Sequence, residues 1–153
     1  KETNEQYQIY SLGQKVKDVA KDLFNMTEKD RTLLTSVGTK MREIDSQVWI
    51  NYLIEQTKDK THCIVDDLRY QNEYEVLSKN GFKIIQLVID PEIQEKRIKE
   101  VYPNNFRDHL MNRDHLSERN EFKWLNDYGP LIIQSEEDKI FEIREKVLSF
   151  INQ

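Results

Sequence analysis

The sequence predicts an α/β fold, a three-layer arrangement in which helices flank a mainly parallel sheet. Three observations predict it. Short apolar runs alternate with segments of helical spacing along the chain, the pattern of strand–helix–strand units. Two of the runs, Cys63-Ile64-Val65 and Ile84-Ile85 with Leu87-Val88-Ile89, are continuous rather than alternating, which suits strands covered on both faces. Helix punctuation stands between the runs: Asn80-Gly81 reads as a left-handed stop, and Asp90-Pro91 as a cap followed by proline at the first helical position.

The elements follow in order. Tyr7 to Ser11 is a short, partly alternating strand. Val16, Val19, Ala20, Leu23 and Phe24 then recur at helical spacing and give one apolar stripe. Thr27 is a candidate cap for a short helix, with Asp30 three residues later. Gly38 interrupts the pattern, and Met41, Ile44, Val48, Trp49, Tyr52 and Leu53 form a second helical stripe. His62 to Val65 is a strand that runs straight into Asp66-Asp67. A helix spans about Gln71 to Lys79, a strand Lys83 to Ile89, and a further helix begins at Pro91. A polar stretch from about Tyr102 to Asn126 precedes a last strand, Leu131-Ile132-Ile133. Ser135 is placed to cap a closing helix, with Glu137 and Asp138 in its first turn and Ile140, Ile143, Val147 and Ile151 along one face.

A chain of 153 residues suits one domain that can bury a substantial core. Charged residues make up 33% and aromatic ones 10%, the balance of a folded domain rather than a disordered tail. The net charge of -5 argues against a general binder of nucleic-acid polymers, which carries a basic excess, and leaves a small phosphorylated ligand open. Cys63 is the single cysteine, so the sequence excludes an internal disulfide and fits a reducing, cytoplasmic setting. Its place in an apolar run makes it a buried structural thiol rather than a nucleophile. No apolar run is long enough to cross a membrane. His62, His109 and His115 lack a metal-ligand spacing with Cys63, and no nucleophile-elbow motif is present.

In parallel α/β sheets ligands bind beyond the carboxyl ends of the strands, so the polar residues after each strand carry the functional argument. Asp66-Asp67-Leu68-Arg69-Tyr70-Gln71-Asn72-Glu73 is the sharpest such segment. A phosphoryl-transfer enzyme needs a carboxylate there to hold hydrated Mg²⁺, and a guanidinium to grip a phosphate. The same residues fit a plainer reading, in which the carboxylates end a strand and Arg69 pairs with one of them. Arg31 and Arg42 flank Gly38-Thr39; two arginines about a glycine turn can bind a monophosphate, although charges at such spacing are more often solvated surface. Trp49 could stack a base, but its spacing with Ile44, Val48 and Leu53 favours the core. Arg97, Arg107, Arg113 and Arg119 lie in or near the polar stretch, interleaved with Asp108, Asp114 and Glu118. They read either as an ordinary charged helix pair or as a basic lid over phosphates. The phosphate-loop motif G-x-x-x-x-G-K-[ST] is not among these residues, and Gly13-Gln14-Lys15 is only an echo of it.

Read in order, the chain resembles the phage- and virus-type deoxynucleoside monophosphate kinases, a branch of the phosphate-loop kinases, over nearly all of its length. Ser11-Leu12-Gly13-Gln14-Lys15 followed by Leu23-Phe24 is similar to that family's strand-to-helix segment, with Lys15 in the place of a common lysine. Asp30-Arg31, Leu34, Gly38-Thr39, Arg42 and Val48-Trp49 resemble its monophosphate-binding region. Asp67, Arg69, Asn72 and Glu73 match its D-x-R-x-x-N-E signature, and Asp114 with Ser117-Glu118 resembles its short lid motif. Animal phosphomevalonate kinases share the D-x-R and lid patterns.

The resemblance implies a phosphate-loop kinase fold with a helical lid at about 102–126. It implies transfer of the γ-phosphoryl group of ATP, with Mg²⁺, to a deoxynucleoside monophosphate. Catalytic roles fall to Asp67, Arg69 and Arg113, and lid roles to Arg107 and Arg119. Acceptor binding falls to Lys15, Arg31, Gly38, Thr39, Arg42, Trp49, Asn72 and Glu73, and Asp66 and Asp67 would hold the metal through water. The expected setting is cytoplasmic, the host cytoplasm for a viral source, with neither membrane nor nucleic-acid polymer as partner and a homodimer left open. The family begins with a strand, a phosphate loop and a helix, so the resemblance implies that such a segment precedes Lys1. Two other readings stand beside it: a kinase for another small phosphorylated acceptor such as phosphomevalonate, and a non-catalytic nucleotide-binding protein without the loop.

Overall fold

A computed structural model describes residues 7–104, 106–111, 129–135 and 139–152. The elements run β1 (Gln8–Tyr10), α1 (Leu12–Phe24), α2 (Arg31–Ile44), α3 (Val48–Thr57), β2 (Cys63–Val65), α4 (Gln71–Lys79), β3 (Ile85–Val88), α5 (Pro91–Val101), α6 (Phe106–Met111), β4 (Leu131–Gln134) and α7 (Ile140–Ile151). The fold is mixed α/β, as the alternation predicts. Where the sequence suggests one domain, the chain divides into two compact units, Lys1–Asn80 and Gly81–Gln153.

In the first unit β1 and β2 pair in parallel, with Ile9 opposite Ile64. Helices α1 to α3 form the crossover between them. The core is built where helix faces meet. Leu12, Val16 and Ala20 are buried at four-residue spacing along α1, which packs on α2 and α3; Val37 of α2, Trp49, Ile50 and Leu53 of α3, and Tyr74 and Leu77 of α4, which packs on α3, complete the core. Ile50 and Leu77 are each only 1% exposed, and each such side chain contributes about 1.5–3 kcal/mol of burial. The α1 stripe ends earlier than its spacing predicts: Leu23 and Phe24 are exposed in the last turn. Asn25 then closes the helix in the left-handed conformation, φ 53°.

Two expectations about the next segment change. Asp30 caps α2, its side chain accepting from the Leu33 amide at 2.9 Å, and no helix begins at Thr27. Gly38 does not interrupt the pattern; it lies buried inside α2, and the break falls at Asp45-Ser46-Gln47, so the second stripe is shared by two helices. A methyl group added at Gly38 would meet only Arg42 Nη1 at 3.4 Å and Val16 Cγ1 at 3.9 Å, ordinary contacts. Gly38→Ala is therefore expected to stabilise the unit by about 0.5 kcal/mol, because alanine restricts the unfolded chain and favours the helix. Urea unfolding at constant slope checks this: a fall in the midpoint would mean that the helix cannot accept the methyl.

In the second unit β3 and β4 pair in parallel, Ile85 opposite Leu131 through Val88 opposite Gln134. Asp90 caps α5, with Pro91 at its first turn, and Gly81 takes φ 82° after α4, both as the sequence predicts. Lys83 ties the approach to β3 to the end of α7, its Nζ donating to the Phe150 carbonyl at 2.8 Å. Ser135 is not the cap of α7, which begins at Ile140 behind Lys139. Instead the Ser135 hydroxyl accepts from Arg97 Nη1 at 3.1 Å. Glu137, Asp138 and most of the predicted lid lie outside the described residues.

The apolar strand runs predicted a single sheet covered on both faces. The described strands instead form two separate two-stranded parallel sheets. A pair of strands leaves its outer edges unpaired and cannot bury every side chain. Ile9, Ile64, Leu87 and Ile132 are accordingly exposed.

Candidate functional site

The polar residues of the first unit gather where β1 and β2 end. Parallel pairing brings Ser11, at the end of β1, level with Asp66 and Asp67, at the end of β2; the Asp66 amide donates to the Tyr10 carbonyl at 3.3 Å and extends the ladder. Asp67 then turns onto the first turn of α1. Its Oδ1 accepts from the Leu12 amide at 2.7 Å, and its Oδ2 from the Gly13 amide at 2.8 Å and the Ser11 hydroxyl at 2.6 Å. Ser11 occupies the cap position of α1 but makes no cap bond of its own, so the helix is capped by a carboxylate from a distant strand. A Cβ on Gly13 would meet Asp67 Oδ2 at 3.1 Å, which is why the residue under this carboxylate is small.

Behind that junction lies a second carboxylate. Glu73, in the first turn of α4, is 2% exposed. Its Oε2 accepts from the amides of Arg69 at 3.0 Å and Tyr70 at 3.1 Å, and its Oε1 from Arg42 Nη2 at 3.1 Å. Arg42 reaches across from α2; its Nη1 donates to the Gly38 carbonyl at 3.3 Å, and its guanidinium lies 4.4 Å from the centre of the Tyr70 ring. Trp49 donates its ring N–H to the same Gly38 carbonyl at 3.2 Å and is 4% exposed. It is a core residue with both its ring and its donor engaged, which leaves no face for a base.

The remaining predicted residues have other partners or are exposed. Asn72 donates to the Ser46 carbonyl at 2.9 Å and ties α4 to the turn between α2 and α3. The Lys15 ammonium lies 5.1 Å from the centre of the exposed Tyr52 ring. Asp66, Arg69, Arg31 and Thr39 are exposed. The structure thus brings Asp67, Arg69, Arg42, Asn72 and Glu73 together, though not about a glycine turn: Arg31, Gly38, Thr39 and Arg42 all lie on α2. Arg107 belongs to the second unit, exposed on α6 with its guanidinium 5.8 Å from the centre of the Phe106 ring. Arg113 and Arg119 lie outside the described residues. Ser11 and Tyr70 are the participants to which the sequence assigned no role. A hydroxyl at a strand-to-helix junction and an aromatic beside a candidate phosphate-binding arginine were the available signals.

Among the described residues no group of three or more His, Cys, Asp or Glu side chains could hold a metal ion. A carboxylate offers about four acceptor positions, and three of those of Asp67 are occupied, so Asp67 does not fit as a multidentate ligand. Asp66, exposed beside it, fits a contact to a hydrated cation through water. Cys63 is half-buried rather than buried, because the two-stranded sheet covers only part of its strand; desolvation still pushes its thiol up, against the opposing pull of Lys60. No helix among the described residues is long and apolar enough to cross a membrane.

The chain matches no protein-family model, no curated protein and no solved structure.

Proposed function

We propose that the first unit of this chain binds the acceptor of a nucleoside monophosphate kinase. The observation that carries the reading is the convergence of Asp66, Asp67, Arg69 and the Arg42–Glu73 pair at the carboxyl ends of two parallel strands, where α/β folds bind ligands. In this reading Arg42, Arg69 and Arg31 hold the monophosphate. Among the described residues Arg42 engages two of its five N–H donors, with Gly38 and Glu73, and its side chain stays partly exposed. The resemblance adds Lys15, on α1, to the acceptor contacts. ATP and Mg²⁺ enter from the resemblance: an oxygen of the acceptor phosphate forms a bond to the γ-phosphorus as the bond to ADP breaks, and hydrated Mg²⁺ beside Asp66 would balance the charge.

A second reading, monophosphate binding without transfer, draws on a specific observation: Asp67 is engaged in capping α1. The protein with ATP, Mg²⁺ and a panel of acceptors separates the readings. Formation of a nucleoside diphosphate is expected for at least one nucleoside monophosphate. Turnover of phosphomevalonate alone would move the assignment to another small acceptor. Saturable monophosphate binding without product would favour the non-catalytic reading, and neither binding nor product would end both.

A further inference from the structure

Glu73 is the most deeply buried charged group among the described residues, yet a carboxylate is a poor partner for an acceptor phosphate. We propose that Glu73 is a positioning residue that aligns two arginines at once, Arg42 through its side chain and Arg69 through its backbone. The inference rests on the reading of those arginines as the acceptor-phosphate clamp.

The geometry divides the work between the two carboxylate oxygens. Oε1 takes the Arg42 guanidinium at 3.1 Å, and Oε2 takes the amides of Arg69 and Tyr70 at 3.0 and 3.1 Å. One side chain thereby joins α2 to the loop between β2 and α4. The Tyr70 ring lies against the same guanidinium at 4.4 Å, so Arg42 is held at one edge and over a ring before any ligand arrives. Less ordering entropy is then lost on binding. Only a carboxylate satisfies this set, because it accepts at both oxygens. Glutamine has the same shape but offers one oxygen, and its NH₂ would face either the backbone amides or the guanidinium, donor against donor. Asn72 adds the second tether of the same turn, to the Ser46 carbonyl at 2.9 Å.

The test compares the full chain with its Glu73→Gln, Arg42→Lys and doubly substituted forms. Amide proton shifts are read by NMR, and binding of a panel of deoxynucleoside 5′-monophosphates is read by calorimetry. Glu73→Gln should move the Arg69 and Tyr70 amide signals upfield and leave those of Leu12 and Gly13, bonded to Asp67, in place as evidence that the unit stays folded. Monophosphate binding should weaken about tenfold. The double variant should bind no more weakly than the worse single one, because both changes break one arrangement. Unmoved Arg69 and Tyr70 signals, or moved signals with unchanged affinity, overturn the proposal. A wild-type chain that binds no monophosphate overturns the clamp reading and with it the acceptor role of Glu73. The amide signals would then still decide, separately, whether Glu73 aligns the loop.

Discussion

Replacing Arg42 with alanine should lower the unfolding free energy by about 3 kcal/mol or more. Glu73 is 2% exposed, and among the described residues its cationic partner is Arg42, at 3.1 Å. Without the guanidinium the carboxylate keeps two backbone N–H bonds, to Arg69 and Tyr70, but its charge stays in the interior uncompensated. Breaking a buried pair from one side costs more than the pair itself contributes, because the remaining charge has lost its partner without regaining water. The loss also removes the packing of the guanidinium on Tyr70 and one of the two side-chain donors to the Gly38 carbonyl, leaving that from Trp49. Against a total stability of roughly 5–15 kcal/mol for a domain, such a loss is large. Arg42→Lys should cost less, since an ammonium restores the charge without the fork that reaches Gly38 and Glu73 together. Equilibrium unfolding in urea measures both. An alanine variant with the wild-type midpoint would mean that Glu73 is solvated and that the pair does not anchor α2 to α4.

The elements were legible to the degree that their signals were local. The caps at Asp90-Pro91 and the stop at Asn80-Gly81 act within a few residues, and the structure places both where the sequence predicts. The division between α2 and α3 was not legible. Its apolar spacing runs on through residues 44–48, and the break is made by an aspartate turn, Asp45 Oδ1 accepting from the Gln47 amide at 2.8 Å. Gly38 offered a more visible interruption, but α2 runs through it and buries it at a place where a methyl would also fit. Continuous apolar strands predicted a wide covered sheet, because apolarity reports a preference for burial and not the neighbour that supplies it. At the candidate site the residue types were legible and their partners were not. Asp67 and Glu73 stood in the segment singled out for carboxylate chemistry, yet what each carboxylate does depends on residues 54 to 56 and 31 positions away in sequence. Contacts of that span leave no trace in periodicity.

Asp67→Asn should cost about 2–3 kcal/mol, and its consequence for activity separates two roles of the same residue. The carboxylate accepts from Leu12, Gly13 and Ser11, so it satisfies two of the orphan amides of α1 and places a negative charge at the positive end of the helix. Asparagine keeps one oxygen, turns an NH₂ toward a backbone N–H, and removes the charge. Ser11→Ala deletes only the hydroxyl donor and should cost about 1 kcal/mol. A fall in urea midpoint for Asp67→Asn, with faster amide exchange confined to the first turns of α1, is the expected signature; an unchanged midpoint would show that the helix does not depend on this cap. Turnover measured well below the unfolding transition then distinguishes the roles. If Asp67 acts only through α1, the folded fraction of the variant should retain most of its activity, because the arginines are held from Glu73 and not from Asp67. If Asp67 also orders water around Mg²⁺, kcat should fall in fully folded protein while monophosphate affinity stays near wild type. The cap loss alone does not produce that pattern, since it acts through the stability of α1 and leaves the arginines, held from Glu73, in place in the folded molecules.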